Sequence, residues 1–201
     1  MFVRATRLAV LGAFALVSGC ALTTDRIDIA YTPQLTASPV AGANEVTVSV
    51  QVIDNRQDKS KVSSKKNGFG MEMAPIVASE DVSITIRKAI ETELSNRGFR
   101  LSTDQAIVQV VADVTRFYND HKIGFFAGDA VADLTMSVNV KSKDGRVLYN
   151  REIVAQGIER NTQLAGGNNA RNALEKALQD GMLKLFDDGN FIAALTGAAA
   201  K

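Results

Sequence analysis

The chain has 201 residues, a formal net charge of +1, 46% hydrophobic and 22% charged residues, one cysteine and one histidine. That is ordinary globular composition, and the length fits one domain with appendages or at most two small domains. Near-neutral charge gives no basic excess, so nucleic acid is not expected as a partner. A single cysteine excludes an intrachain disulfide framework. One histidine leaves no material for a soft-metal cluster, so no metal and no other cofactor is expected, and a Ser-His-Asp site would have to be built on His121 alone.

Met1 to Arg7 carries Arg4 and Arg7 and no acid, and Leu8 to Val17 is almost wholly apolar. The apolar run is too short to cross a bilayer, which takes about 20 residues, and matches the apolar core of a secretory signal. It ends in Leu16-Val17-Ser18-Gly19-Cys20. Small residues before a cysteine at this place resemble the lipobox of bacterial lipoproteins. The resemblance implies cleavage before Cys20, acylation of its thiol and new amine, and attachment to a membrane through the acyl chains. One acyl chain holds only marginally, whereas three satisfy the requirement for stable anchoring. Ala21, rather than an aspartate, follows the cysteine; in enteric-type sorting this implies the outer membrane, with the chain facing the periplasm.

Residues 21–44 are polar and small, contain Pro33 and Pro39, and show no periodicity. They read as a flexible tether, so the expected division is a signal peptide (1–19), lipidated cysteine and tether (20–44), and a single α+β periplasmic domain (45–201). A chain starting near Glu45 is expected to fold by itself. Val46, Val48, Val50 and Val52 alternate with polar residues as in a half-buried strand. The strand stops at Asp54-Asn55-Arg56, where Asp54 and Arg56 are expected to brace the turn by local hydrogen bonds. Residues 57–78 read as a long loop.

Ser79 to Arg97 has apolar residues at helical spacing (Val82, Ile86, Ala89, Ile90, Leu94), with Ser79 as the expected cap. Gly98 suits the left-handed position past the end, where Phe99 can fold back. Ala106 to Phe117 predicts a central strand. Alternation from Ala130 to Lys141 predicts a one-sided strand, Lys143-Asp144-Gly145 a hairpin turn, and Val147 to Ile158 its antiparallel partner. Asn168 or Asn169 can cap a second helix, and Phe191, Ile192 and Leu195 follow as a short apolar tail. The predicted order is β-α-β-β-β-α, a four-stranded, largely antiparallel sheet with two helices packed on one face.

In this order and spacing the chain resembles the YajG-type family of bacterial outer-membrane lipoproteins. The resemblance rests on the lipobox before Cys20, the Asp54-x-Arg56 turn, the helix closing in Asn96-Arg97-Gly98-Phe99, the strand Ile107 to Tyr118, the strand and hairpin Asp129 to Asp144, and the Asn-rich start of the last helix. It implies a lipid-anchored location without an agreed activity, and it transfers no site residue.

The constellations each have a plain reading and a sharper one. His121, beside Asp120, lacks a supporting nucleophile and reads as an exposed loop histidine. Asp129 and Asp133 share one face of a strand without a third ligand and read as solvated carboxylates. Lys59, Lys61, Lys65 and Lys66 read as a solvated mobile loop or as an attractor of phosphates or an acidic partner. Phe117, Tyr118, Phe125 and Phe126 surround a turn with Gly124 and Gly128; they read as cover for the core edge or as a partner-facing surface. Phe125 and Phe126 are adjacent, so on an extended segment they point in opposite directions, and one can pack inward while the other remains available. The leading expectation is a non-enzymatic accessory or scaffold module of a cell-envelope complex, with an envelope protein as partner. The alternative is a binding protein for a small apolar or lipid ligand held between helices and sheet.

Overall fold

The computed structural model describes residues 22–35 and 37–197. In chain order the elements are β1 (Asp25–Ile27), β2 (Thr47–Asp54), β3 (Ser63–Lys66), β4 (Glu72–Ala78), α1 (Val82–Asn96), β5 (Arg100–Leu101), β6 (Val108–Lys122), β7 (Gly128–Ser142), β8 (Val147–Thr162), α2 (Gly167–Phe186) and α3 (Gly189–Thr196). They form a five-stranded sheet ordered β5-β2-β6-β7-β8 and a three-stranded sheet ordered β1-β4-β3. The fold is α+β, but it is not one four-stranded, largely antiparallel sheet with two helices. The four expected strands are present as β2, β6, β7 and β8. α1 carries the chain from β2 back to a parallel β6, and β2 is also parallel to β5, so the large sheet is mixed. The apolar tail is a third helix, α3.

The residues read as a long loop after Arg56 hold β3 and β4, and those read as a tether hold β1, parallel to β4. Neither carries an alternating apolar stripe long enough to declare a strand. Residues 25–35 are instead stitched to the domain by polar contacts. Asp25 accepts a hydrogen bond from the Gly167 amide at the start of α2 (3.0 Å) and pairs with Lys65 of β3 (2.7 Å). This supplies from afar the cap that α2 lacks locally, since its own N-cap, Gly166, has no side chain to offer. Ala30 donates to Glu175 of α2. Tyr31 and the Gln34 amide both donate to Glu93, which is fully buried and ion-paired with Arg97, while Arg97 donates to the Gln34 side chain and lies over the Phe186 ring. Burial and the Glu93 carboxylate push the Tyr31 phenol well above its ordinary pKa.

The core lies between the large sheet and the helices. α1 buries Val82, Ile86, Ala89, Ile90 and Leu94; it starts at Asp81, which caps Ser83, rather than at Ser79. Gly98 sits at φ +90°, and Phe99 folds back onto Leu94, as the sequence predicts. α2 presses so closely on β8 that a Cβ at Gly157 would lie 2.0 Å from the Ala173 carbonyl oxygen, so only glycine fits.

Two features of the sheet position everything that follows. A β-bulge between Val114 and Arg116 adds a residue to β6, so even-numbered residues face inward before it and odd-numbered ones after it: Val110, Ala112 and Val114, then Phe117, Asn119 and His121. Side chains also cover stretches of free backbone on β6 and β8. Past the end of β2, the β6 carbonyls of Phe117, Asn119 and His121 accept from Arg56, the Ser63 hydroxyl and Lys66 (3.4, 2.8 and 3.1 Å). On β8, the Val154 and Ile158 carbonyls accept from Lys184 and Lys176, and the Gln156 amide donates to Asp180, all three side chains lying one turn apart on α2.

The docked N-terminal segment makes a direct prediction. A chain starting at Glu45 leaves buried Glu93 with Arg97 but without Tyr31 and Gln34, at about 1.5–3 kcal/mol for each hydrogen bond to a charged group. The two bonds together come to about 3–6 kcal/mol, so relative to a chain starting at Thr24 it should melt roughly 6–24 °C lower, at about 2–4 °C per kcal/mol for a domain of this size. Equal melting temperatures would show that the segment adds no stability.

Candidate functional site

The residues singled out in the sequence separate into distinct places. Cys20 lies outside the described residues. Lys59 is exposed on the turn after β2, whereas Lys61 pairs with Glu72 (2.8 Å), Lys65 with Asp25 and Lys66 with Asp120. The lysine-rich segment is therefore not a free cationic loop: three of its four ammonium groups are held by acids of neighbouring strands. The Glu72 hydrogen bond holds the Lys61 ammonium above its ordinary pKa, and the same contact lowers Glu72. Asp54 and Arg56 do brace the turn, with Arg56 buried and two of its nitrogens on the Asp54 carboxylate. Asp129 and Asp133 face Arg160 and Arg116 as surface pairs. Among the described residues no group of three or more histidine, cysteine, aspartate or glutamate side chains is placed to hold a metal.

The aromatic set divides. Phe117 is fully buried, and Tyr118 is half-buried with its hydroxyl beside Ser64. Phe125 and Phe126, on the β6–β7 loop, are 94% and 91% exposed. Neither packs inward; their rings instead meet edge to face at 4.8 Å. The expectation of one inward and one outward ring assumed extended backbone, whereas this stretch is a bend between strands.

His121 is also placed differently from its sequence reading. β6 runs on to Lys122, beyond the apolar run that marks it in the sequence, and the bulge turns His121 inward, where only 2% of it is exposed. Neither ring nitrogen has a hydrogen-bond partner among the described residues. Burial, with the nearby Lys66 charge, lowers its pKa to about 4 against a smaller opposing effect of Asp120. His121 lines a cavity of about 450 Å³ with Lys66, Phe125, Phe126 and Leu164, at the loop end of the sheet rather than between helices and sheet. No regular signal in the sequence marks this position, because the bulge breaks the two-residue period that would have shown which way it points.

A neutral imidazole held in the folded state makes the protein acid-sensitive. Unfolding restores a pKa near 6.5, so between pH 6.5 and 4 the unfolded chain binds the extra proton and stability falls as pH falls. The loss approaches about 3 kcal/mol by pH 4. His121→Leu should remove that part of the acid sensitivity in chemical denaturation across this range, and a parallel pH dependence in the variant would refute the assignment.

The comparisons with known proteins bear on the chain as a whole. No curated protein matches it. Among solved structures it is similar to a Xanthomonas campestris protein at 14% identity, covering 87% of this chain and 96% of that one with a TM-score of 0.57. It is also similar to a Helicobacter pylori protein described as a homolog of a neuraminyllactose-binding hemagglutinin, at 9% identity, covering 87% and 99% with a TM-score of 0.53. At these identities the likeness is one of fold. The family described as uncharacterized lipoprotein matches residues 33–196, from the docked N-terminal segment through α3. With most of its length matched in this way, the chain belongs to that family of uncharacterised lipoproteins.

Proposed function

We propose that the chain is a lipid-anchored envelope lipoprotein of the YajG type, held on the periplasmic face of the outer membrane by acyl chains on Cys20, where it serves as a non-enzymatic accessory or scaffold module. Membership of a lipoprotein family and the lipobox before Cys20 support the anchor. None of the described helices is long and apolar enough to cross a membrane.

The observation that carries the module reading is the outer face of the large sheet. Three strands of 15 or 16 residues lie side by side there, all helices pack on the opposite side, and α2 side chains cover three backbone groups along β8. The face presents Asp133, Thr135, Ser137 and Asn139 of β7 next to Asn150, Glu152 and Val154 of β8. A broad, polar surface with two exposed aliphatic residues, Ile53 and Val154, suits a reversible protein contact more than a reaction.

Cys20→Ser should abolish palmitate labelling and release the protein from the outer-membrane fraction; unchanged labelling would overturn the anchor. A photo-crosslinker at Ser137 should trap a defined envelope protein in cells, and only while Cys20 is intact. A smear of unrelated products, or none, would overturn the module reading.

A further inference from the structure

Topology brings four separate segments to one end of the molecule. β1 runs parallel to β4 with Asp25 opposite Ile76, so the residues before Asp25 point toward the β3–β4 turn. β3 lies along β6, where Val62 accepts from the Asn119 amide and Lys66 reaches the His121 carbonyl, which puts that turn next to the β6–β7 loop. A Cβ on Gly70 of the turn would sit 4.0 Å from Ile123 of the loop. β8 ends with Thr162 opposite Gly128, so the β8–α2 connection is at the same end, and Leu164 shares a cleft with Thr24 and Asp25.

This end also gathers the exposed apolar rings. Of the seven phenylalanines among the described residues, Phe99, Phe117, Phe186 and Phe191 are buried, and the three exposed ones, Phe69, Phe125 and Phe126, all lie here. Leu164 beside them is 77% exposed. Apolar surface gathered in this way marks an interaction site.

We propose that this loop end is a membrane-docking surface, with Phe69, Phe125, Phe126 and Leu164 entering the lipid interface to which Cys20 is attached. The inference rests on the proposed acylation of Cys20. Its warrant is the length of chain outside the fold: residues 21–24 are all that separate Cys20 from Asp25, a span of at most about 17 Å when fully extended. Asp25 is fixed to Gly167 and Lys65, so the leash cannot lengthen without breaking those contacts. The loop end is therefore held at the bilayer, while the β7–β8 turn lies a full strand away, about 50 Å at roughly 3.3 Å per residue. Rings on so short a leash meet lipid before any soluble partner, and aromatic and aliphatic side chains settle at the boundary of headgroups and acyl chains.

The chain contains no tryptophan, so a single indole is a clean reporter. The full-length acylated protein carrying Phe126→Trp is reconstituted into phosphatidylethanolamine–phosphatidylglycerol vesicles. Its emission should shift to shorter wavelength and be quenched roughly twofold or more by acyl chains brominated close to the headgroup, since interfacial groups sit about 5–10 Å into that boundary. Val147→Trp, at the far end of β8, should keep water-like emission without quenching. Both positions are exposed, and unchanged thermal unfolding confirms that the substitutions leave the fold intact. If the protein floats with vesicles but the reporter at position 126 stays unquenched, docking is overturned and the anchor stands. If it does not float, the anchor reading falls and docking falls with it. Cell crosslinks from position 125 to a protein, with no quenching in vesicles, would assign the surface to a protein partner and overturn the proposal.

Discussion

The Asp25 carboxylate, held between the Gly167 amide and the Lys65 ammonium, fixes where the chain enters the fold, and much of the architecture follows from that contact. A helix start needs acceptors for its free amides and favours negative charge beside them. Most helices take both from the residue just before the first turn. α2 begins in a glycine-rich stretch that offers neither, so its cap comes from the opposite end of the sequence. The same carboxylate neutralises a lysine of β3, the strand that closes the free half of β6. The helix layer, the small sheet and the point of chain entry thus share a single joint, and the β3–β4, β6–β7 and β8–α2 connections gather around it.

A second constraint is the bulge in β6. One additional residue reverses the facing of all that follows, so Phe117 fills the core and His121 is drawn in behind it. Burial without hydrogen-bond partners is costly for an imidazole, and least costly in the neutral form. The depressed pKa of His121 is the electrostatic expression of that cost.

What could be read in the sequence was what repeats. The four long strands and the two longer helices announce themselves by period, and the Gly98-Phe99 helix stop by the demand for a left-handed backbone. Parallel pairing of β2 with β6 is a matter of which strands become neighbours, and no local pattern records it. β1, β3 and β4 are short, and each brings too few core residues, such as Ile27 and Ile76, to show a period, so their residues look like linker: Asp25 and Lys65 are informative only as a pair, forty positions apart. Of the candidate site, the glycine-flanked turn was legible, but the outward placement of both Phe125 and Phe126 was not, because alternation along an extended strand does not hold in a bend. The burial of His121 was hidden because one unpaired residue at the bulge shifts the alternation without leaving a mark in composition.

The side-chain cover along β6 and β8 bears on how copies can share one surface. Confinement to a plane raises the rate at which identical molecules collide, and a strand with unpaired amides and carbonyls is a template for its own kind. Here Arg56, Ser63 and Lys66 on one side, and Lys176, Asp180 and Lys184 on the other, occupy those groups with side chains that cannot propagate a ladder. The covered stretches of β6 and β8 then offer a neighbouring copy no backbone ladder to extend.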